Sequence, residues 1–409
     1  MAQEKTNVII LGGGIVGSLL SVILGSNGLS VFLVEKKSLE DLGSDYYDGR
    51  SYALNEGTKN LLDLLGIWDE IKEKVQSVSK VLLQQGMETS RPQPLELSLF
   101  DYEIDNSSVF YMIEDRFLRK VILKKVKNEP NISHLTSKVV QKQRIGGGLI
   151  EVTLSGGIIL KGDIAIGADG FPSRSAGRAK VRNFGWTYNQ SSIVGVVRHE
   201  NSHEGEAIQF FLPAGPLAIL PLTDNRSCYV WTMGTKEAKG IYELHNEKFL
   251  EKLIEVFNNC RGNLVLDTTK SVFPISLALA RNLVKERFAL IGDSAHNIHP
   301  IAGQGLNLGI RDLACLSEVL ILASRNGEDI GGLGVLGRYS KWRRSDILSL
   351  SLFTDITNKI FSTDNFMLHL SRGLAFNLID KSPILKKYLM KEASGSIGEI
   401  PKLLEGKEI

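Results

Sequence analysis

The sequence predicts an α/β protein in which a parallel sheet is interrupted by a mostly antiparallel sheet and followed by a helical C-terminal region. Three observations predict this fold class. An apolar strand turns through a G-x-G-x-x-G motif into an apolar helix within residues 8–24. Two later apolar strands end in aspartate, at Asp169 and Asp293. Residues 183–272 alternate apolar and polar side chains, as strands with one buried face do.

The first predicted unit is a strand, a helix and a second strand. Residues 8–11 form the first strand, residues 15–24 the helix and residues 30–34 the second strand, which ends at Glu35. This is the βαβ unit of a Rossmann-type domain, whose glycines and helix N-terminus accept a pyrophosphate while the acidic residue accepts hydrogen bonds from a ribose. A tight turn without a ligand is the alternative. The candidate cofactor-binding residues here are Gly12, Gly14, Ile15, Val16, Gly17 and Glu35.

The next two predicted strands each place an aspartate at the carboxyl end of a buried strand. One strand covers residues 164–167 before Asp169, and the other covers residues 288–291 before Asp293. Ligands of open α/β sheets bind at these strand ends. Either aspartate alone could instead cap a helix or stabilise a turn. Together with the glycine motif, they predict FAD.

The cofactor-binding segments are expected to be discontinuous, with a substrate domain inserted between them. The inserted part is predicted to be a mostly antiparallel sheet with a helix over residues 246–259. The expected boundaries are residues 1–75, 105–182 and 275–345 for the FAD-binding domain, residues 76–104 and 183–274 for the substrate domain, and residues 346–409 for the C-terminal helical region.

The order of these motifs resembles a known family. It continues into H-P-I-A-G-Q-G-L-N-L-G-I-R-D at residues 299–312, with D-G-R-S-Y-A-L at 48–54 and E-D-R-F-L at 114–118 as further matches. In these features the chain resembles the aromatic flavoprotein monooxygenases, and among them the UbiH-type hydroxylases of ubiquinone biosynthesis. The resemblance covers nearly the whole chain. One departure is Ala176, where the family usually has an arginine, and Arg174 is a candidate substitute.

The resemblance implies roles for individual residues. Asp293 would bind the ribityl chain of FAD, and residues 300–307 would surround the pyrimidine side of the flavin ring. Backbone amides near Leu306 and Asn307 would stabilise negative charge on the reduced flavin. Arg50 and Arg116 would lie near phosphates, although either could form a surface salt bridge instead. The candidate catalytic residues are Pro300 and Gln304, and the further cofactor contacts are Arg50, Arg116, Asp169, Asp293, Gly303, Gly305, Leu306 and Asn307.

The resemblance also implies the reaction. NAD(P)H would reduce FAD transiently, O₂ would add at C4a of the flavin, and the resulting hydroperoxide would hydroxylate a phenol ring carrying a polyprenyl tail. The backbone carbonyl of Pro300 is a candidate partner for the substrate hydroxyl. His296 and His299 could act as bases or could be turn histidines. The candidate substrate residues are Phe211, Leu220, Pro221 and Trp231, although apolar residues at strand spacing are more often sheet core.

Two other functions fit the same motifs. One is a flavin hydroxylase of a small soluble aromatic compound, and the other is a non-catalytic FAD-binding member of a biosynthetic complex. A second G-x-G-x-x-G at residues 332–337 follows a polar loop without a preceding strand, so we do not expect it to bind a nucleotide.

The net charge and the cysteine positions limit the partners and metal sites that we expect. The formal net charge is +2 over 409 residues, which gives no reason to expect nucleic acid as a partner. The three cysteines lack metal or disulfide spacing, so neither a metal site nor a disulfide is expected.

The sequence also predicts the cellular compartment of the protein. No apolar run approaches the roughly 20 residues that span a bilayer, and the N-terminus lacks the pattern of a signal peptide. We therefore expect a cytoplasmic protein. Apolar residues between 361 and 376, followed by lysines at 386, 387 and 391, could contact the inner face of the membrane or form a packing face.

Overall fold

The structure is a computed structural model that describes residues 3–85, 96–98, 109–212, 214–257, 260–300, 303–361 and 398–409. Its first strands are β1 (Gln3–Leu11), β2 (Val31–Val34), β3 (Ser51–Leu54), β4 (Gln76–Val78), β5 (Lys80–Gln85), β6 (Glu96–Ser98), β7 (Phe110–Glu114), β8 (Ile132–Leu135), β9 (Val140–Gly146), β10 (Leu149–Leu154) and β11 (Ile159–Gly167). The later strands are β12 (Asn183–His199), β13 (Glu206–Leu212), β14 (Gly215–Leu222), β15 (Arg226–Gly234), β16 (Leu264–Leu266), β17 (Ser271–Ala280), β18 (Val284–Lys285), β19 (Phe288–Leu290) and β20 (His296–Asn297). The helices are α1 (Ile15–Ser26), α2 (Leu39–Gly43), α3 (Glu56–Leu64), α4 (Trp68–Ile71), α5 (Asp115–Asn128), α6 (Arg174–Arg178), α7 (Thr235–Tyr242), α8 (Asn246–Phe257), α9 (Gly305–Arg325) and α10 (Leu333–Phe361).

The first large sheet has a parallel centre. Its strands lie in the order β18, β19, β11, β1, β2, β8, and β1 pairs in parallel with both β2 and β11. The chain leaves β1 toward β2 on one side and reaches β11 on the other, so the strand order reverses at β1. In open α/β sheets, such a reversal leaves a crevice at the carboxyl end of the strand, where ligands bind.

The second large sheet is mostly antiparallel. Its strands lie in the order β20, β17, β12, β15, β14, β13, β5, β6, with β16 beside β12. Within this sheet β5 and β13 pair in parallel. A smaller sheet of β3, β7 and β4 lies alongside.

The two faces of the second sheet pack against different parts of the protein, and successive residues along each strand point to alternate faces. Ile219, Tyr229 and Trp231 belong to a buried cluster with Phe249 of α8. Residues of opposite parity, such as Cys228, pack in a separate cluster with side chains from β4 and β7. The second face is therefore the one turned toward the rest of the molecule.

The predicted α/β class, with its inserted antiparallel sheet and helical C-terminal part, is confirmed. Helix α8 begins at Asn246 as predicted and covers Asn246–Phe257, and positions 258 and 259 lie outside the described residues. Helix α10 runs continuously across the expected boundary at 345/346. The second glycine motif lies where α10 begins. The apolar and lysine positions predicted for membrane contact lie outside the described residues, apart from the backbone of Phe361. In the part of the chain that the structure describes, no helix is both long and apolar enough to cross a bilayer.

Candidate active site

A cavity of about 800 Å³ lies between the carboxyl end of the first sheet and the second sheet. It brings together the glycine turn after β1 and the segment where α9 begins, although Gly12 and Gly305 are 293 positions apart in the 409-residue chain. Most of the predicted cofactor residues border this space. They are Gly12, Gly14, Ile15, Val16, Glu35, Arg50, Asp169, Asp293, Gly303, Gly305 and Leu306, together with the predicted catalytic residue Pro300.

The glycines of the first turn serve different purposes. Gly12 has φ +120°, and a Cβ there would lie 2.3 Å from the carbonyl oxygen of Ala168. A Cβ on Gly17 would lie 2.0 Å from the carbonyl oxygen of Gly12, so Gly17 is needed for packing of α1 against the turn. A Cβ on Gly14 would meet no protein atom within 4 Å. Gly14 therefore leaves open space at the N-terminus of α1, where backbone N–H groups can receive a pyrophosphate.

Glu35 stands at the end of β2 and is almost buried. One carboxylate oxygen accepts the backbone N–H of Gly13 at 2.7 Å, and the other accepts that of Lys37 at 2.9 Å. These hydrogen bonds fix the carboxylate at the cavity wall and leave lone pairs for further donors. A ribose hydroxyl fits this position.

Cationic side chains surround the same end of the cavity. Sequence reasoning identified Arg50 and proposed Arg174 as a substitute, but it missed the others. An FAD pyrophosphate carries two negative charges, so this wall fits the group that the glycine turn accepts. The cationic lining residues are Lys36, Lys37, Arg50, Arg119, Lys138, Arg174 and Arg178.

The two predicted aspartates differ in their environment. The carboxylate of Asp169 accepts hydrogen bonds from the hydroxyls of Ser173 and Ser175 and from the backbone N–H of Ser175, so it orders the loop before α6. Asp293 is exposed on the side that borders the cavity, and protein atoms surround its carboxylate on the other sides. Burial raises the pKa of Asp293; nearby His296 acts in the opposite direction and Asp312 adds to the rise. A ligand hydroxyl would stabilise the Asp293 carboxylate.

The first turn of α9 is held in place by the side chain of Asn307. Its side-chain amide donates to the carbonyl oxygen of Ala53 at 2.7 Å, and its oxygen accepts from the Thr58 hydroxyl at 2.9 Å. The Asn307 side chain is therefore directed at β3 and α3, and only its backbone is available to a flavin. Helix α9 begins at Gly305, so the positive end of its dipole faces the cavity.

The two predicted catalytic residues occupy different positions. Pro300 borders the cavity, and its carbonyl oxygen accepts the backbone N–H of Gly303 at 2.9 Å. Gln304 does not border the cavity; its side-chain oxygen accepts from Asn307 at 3.3 Å. Pro300 can thus contact a ligand directly, whereas Gln304 supports the loop.

A buried ionic network lies beneath the loop. The carboxylate of Asp312 contacts Nε2 of His296 and accepts from Nε of Arg343 at 2.7 Å and from the backbone N–H of Gly292 at 2.9 Å. Burial alone would raise the pKa of Asp312, but His296 and Arg343 hold it below its ordinary value. Because Gly292 precedes Asp293, this network fixes the segment that presents Asp293 to the cavity.

Arg116 lies outside this cavity. Its guanidinium pairs with Glu114 and borders a second cavity. Arg119, one helical turn later on α5, borders the first cavity instead and pairs with Asp115 at 3.2 Å. The E-D-R-F-L motif alone did not show which side of α5 faces the cofactor region. The signal in the sequence was a second arginine, Arg119, three residues after Arg116.

The four predicted substrate residues also lie outside the cavity lining. Trp231 belongs to the cluster on the far face of the second sheet, and Pro221 shares the parity of Ile219 on that face. Leu220 packs on the near face, and Phe211 has the same parity as Leu220 across the β13–β14 pair.

The sheet wall of the cavity is formed by neighbours that sequence reasoning missed. They lie on β12 and β15, at positions of opposite parity to Trp231, and on β17. These lining residues are Ser192, Val194, Cys228, Val230, Phe273, Pro274, Ile275 and Ser276.

Comparison with known proteins shows the family of this chain. The family described as "FAD binding domain" matches residues 5–345. The ubiquinone hydroxylase UbiL of Rhodospirillum rubrum is 34% identical over 99% of this chain and 94% of its own length. The 3-demethoxyubiquinol 3-hydroxylase of Escherichia coli is 28% identical over 97% of this chain and 100% of its own. The ubiquinone biosynthesis monooxygenase COQ6 of Rattus norvegicus is 27% identical over 95% and 90%.

Solved structures show the same fold. The p-nitrophenol 4-monooxygenase PnpA of Pseudomonas putida superposes with a TM-score of 0.77 at 18% identity, over 100% of both chains. PqsL of Pseudomonas aeruginosa, a probable FAD-dependent monooxygenase, superposes with a TM-score of 0.76 at 19% identity, over 93% of this chain and 100% of its own. With the glycine turn, the cationic wall and the sequence matches together, this chain belongs to the FAD-binding-domain family and, within it, to the FAD-dependent hydroxylases related to ubiquinone biosynthesis.

Proposed function

We propose that this protein hydroxylates the aromatic ring of a polyprenylated phenol or quinone precursor in ubiquinone biosynthesis, with NAD(P)H as reductant and O₂ as the oxygen source. The observation that carries the proposal is the composition of the cavity of about 800 Å³. One end has the glycine turn and the cationic wall, and the other end is covered by a mostly apolar sheet face. The named activities of the curated relatives support the same substrate class.

The apolar sheet wall suits an uncharged ring and tail. The side chains on this wall are mostly apolar, and the small hydroxyl of Ser192 lies among them. The apolar side chains are those of Val194, Val230, Phe273 and Ile275. At the margin of this wall, the Arg50 guanidinium forms an ion pair with the Asp48 carboxylate at 2.6 Å. A small aromatic acid would need an unpaired cation beside its carboxylate, whereas the Arg50 guanidinium, 5.9 Å from the Phe273 ring centroid on this wall, is already paired with Asp48. The arrangement therefore favours a neutral, hydrophobic substrate over a soluble benzoate.

The protein would contribute placement, shielding from water and fixed dipoles. When bound, FAD supplies hydride acceptance from NAD(P)H and oxygen activation. The N-terminus of α9 at Gly305 and Leu306 directs backbone N–H groups into the cavity, where they would stabilise developing negative charge. The Pro300 carbonyl can accept a hydrogen bond from a ring hydroxyl, and the apolar sheet wall excludes water.

Rescue of ubiquinone synthesis tests this function. The purified chain should show flavin absorbance, and its expression should restore ubiquinone in a host that lacks one of its own ring hydroxylases, as measured by mass spectrometry of lipid quinones. The rescued strain identifies the ring position. Bound flavin without rescue of any strain would contradict the substrate assignment, and absence of bound flavin would contradict the site itself.

A matched pair of variants tests the sheet wall. Val230→Phe fills cavity space and should raise the KM for the polyprenylated substrate by about tenfold, because a poorly accommodated ring or tail loses about 1–3 kcal/mol. Val265→Phe makes the same change at a position of β16 that is 62% exposed and should leave the KM unchanged. Equal effects from both variants would count against the cavity as the substrate site.

Contact with an anionic membrane surface is part of the same proposal. Leu348, Leu352 and Ile356 are 52%, 60% and 45% exposed and lie four residues apart along one side of α10. Lys341 and Arg344 lie one to two turns before them and are also exposed. Apolar side chains that enter the lipid and cations that meet its headgroups form an interfacial binding face.

Vesicle binding tests this face. Vesicles of phosphatidylcholine with phosphatidylglycerol should co-sediment the protein at low salt. Replacing Leu348 and Leu352 with serine should release it without loss of flavin, because the two side chains are exposed in the folded protein. Unchanged binding of the serine variant would refute the role of α10.

Membership of a ubiquinone-biosynthesis complex is a further proposal. It is supported by the substrate class alone, because enzymes that pass on a lipid-soluble intermediate meet at the same membrane. After detergent extraction, we expect this protein to co-purify at a fixed ratio with other enzymes of ubiquinone biosynthesis. Recovery of this chain alone would contradict the proposal.

A further inference from the structure

A second cavity, of about 600 Å³, lies beside the first. Its wall is rich in charge, in contrast to the apolar sheet wall of the first cavity. Cations outnumber the carboxylates around it. The cationic lining residues are Lys74, Arg116, Arg198 and Arg226, and the carboxylates are Asp224 and Asp267.

The two central arginines share a single buried carboxylate. Glu114, whose side chain is 2% exposed, accepts from Arg226 at 2.6 Å through one oxygen and from Arg116 at 2.7 Å through the other. The Arg116 guanidinium also lies 4.7 Å from the ring centroids of Tyr47 and Phe117. The Arg226 guanidinium also donates to the carbonyl oxygen of Thr223 and to Asp267, so it mainly fixes the position of Glu114. The Arg116 guanidinium is held rigidly by Glu114 and keeps N–H donors at the cavity, which is the arrangement that binds phosphate oxygens well.

Two further cations extend this positive surface. Arg198 is 55% exposed and contacts Asp267 at 3.2 Å. Lys74 has no carboxylate partner among the described residues, and its ammonium lies 5.7 Å from the Phe117 ring centroid. Helix α5 begins at Asp115, so Arg116 lies in its first turn and the positive end of the helix dipole adds to the field. This surface can neutralise more than one phosphate.

Aromatic side chains at the same cavity could bind a flat ring. Tyr46 borders it and is 67% exposed. Tyr47 forms part of the partition between the two cavities: its ring borders the second, and its hydroxyl lies 2.6 Å from that of Ser51, which borders the first. Phosphate donors, a stacking ring and proximity to the flavin region together describe a nucleotide site.

We propose that this second cavity binds the adenosine diphosphate end of the NAD(P)H reductant, with its nicotinamide end extending past Tyr47 toward the first cavity. The inference rests on the proposed function, which requires a reductant in addition to FAD. The glycine turn is the place for FAD itself, so the reductant needs a site of a different construction. Rigid arginines beside an exposed tyrosine supply one.

The test uses the FAD-loaded protein and ADP-ribose, which has the phosphates and adenine of the reductant but no nicotinamide. The double substitution Lys74→Ala/Arg198→Ala removes two exposed cations and leaves the buried Glu114 pair intact. Arg144→Ala, at a side chain that is 76% exposed and paired with Glu151, is the matched control. Calorimetry gives the Kd for ADP-ribose, and anaerobic stopped-flow gives the dependence of flavin reduction on NAD(P)H concentration.

We expect the double variant to raise both the ADP-ribose Kd and the half-saturating NAD(P)H concentration by about tenfold or more, since two charge-assisted contacts are lost. The limiting rate of flavin reduction should stay that of the parent, as should every property of the control. Equal ADP-ribose binding by parent and double variant, or no ADP-ribose binding by the parent, overturns the proposal. If NAD(P)H fails to reduce the parent's flavin while ADP-ribose binding still depends on these cations, the hydroxylase function fails and the nucleotide site stands.

Discussion

Replacing Gly14 with alanine should separate cofactor binding from fold stability. A Cβ at this position meets no protein atom within 4 Å, and its φ of −69° is favourable for alanine. The free energy of unfolding of the apoprotein should therefore stay within about 0.5 kcal/mol of the parent. The added methyl group instead enters the cavity at the N-terminus of α1, where a pyrophosphate must approach the backbone.

The expected loss follows from displacing one phosphate oxygen from its backbone donor. A hydrogen bond to a charged group contributes about 1.5–3 kcal/mol, so the Kd for FAD should rise by about 10- to 150-fold. Titration of the apoprotein with FAD, followed by quenching of flavin fluorescence, measures this Kd. Thermal unfolding with and without FAD should show that only the FAD-dependent increase in Tm is reduced.

Two other glycines provide the controls. Gly240 lies in α7, and its Cβ would also meet open space, so Gly240→Ala should stabilise the protein by about 0.5–1 kcal/mol and leave FAD binding unchanged. Gly17→Ala should prevent folding, since its Cβ would lie 2.0 Å from the Gly12 carbonyl oxygen. Parental FAD affinity in Gly14→Ala, or an unstable apoprotein, would refute the assignment of open space at Gly14 to the pyrophosphate.

Three further outcomes are expected. Burial lowers the pKa of His299 to about 4, whereas the same side chain in the unfolded protein is protonated near pH 6.5. The free energy of unfolding should therefore fall by about 3 kcal/mol between pH 6.5 and pH 4, because only the unfolded chain binds this proton in that range. Urea unfolding of His299→Gln should lack this pH dependence. Arg343→Met leaves Asp312 buried with one cationic partner fewer and should cost about 3–5 kcal/mol in denaturant unfolding; a change under 1 kcal/mol would contradict the network. Arg119→Ala should weaken FAD binding by about tenfold, whereas Arg116→Ala should not; the opposite ranking in FAD titrations would show that Arg116 reaches the cofactor.

The parts of the site that follow from local sequence patterns were predictable. The strand, glycine turn and helix at the N-terminus are encoded in adjacent residues, and α1 begins at Ile15 as expected. The positions of Asp169 and Asp293 at strand ends follow from the same local logic, and both border the cavity.

The parts that depend on which side of an element faces the ligand were not predictable. Alternation along β15 shows that Val230 and Trp231 lie on opposite faces, but both faces are apolar, so the pattern does not show which one covers the cavity. Likewise, Arg116 and Arg119 lie on the same helix, and only packing of α5 decides which one turns toward the cofactor. Asn307 bonds to residues some 250 positions earlier, a contact that no local pattern reveals.

The central position of β1 in the first sheet has a consequence for protein synthesis. Its neighbour β11 and the next strand β19 leave the ribosome long after it, and Ala168 supports the turn at Gly12 only when β11 has paired. At about 5–20 residues per second, the interval between residue 11 and residue 290 lasts roughly 14–56 s. Until these strands emerge, β1 can pair with β2 but not with β11, so capture of FAD at the turn that Ala168 supports is a late event in synthesis.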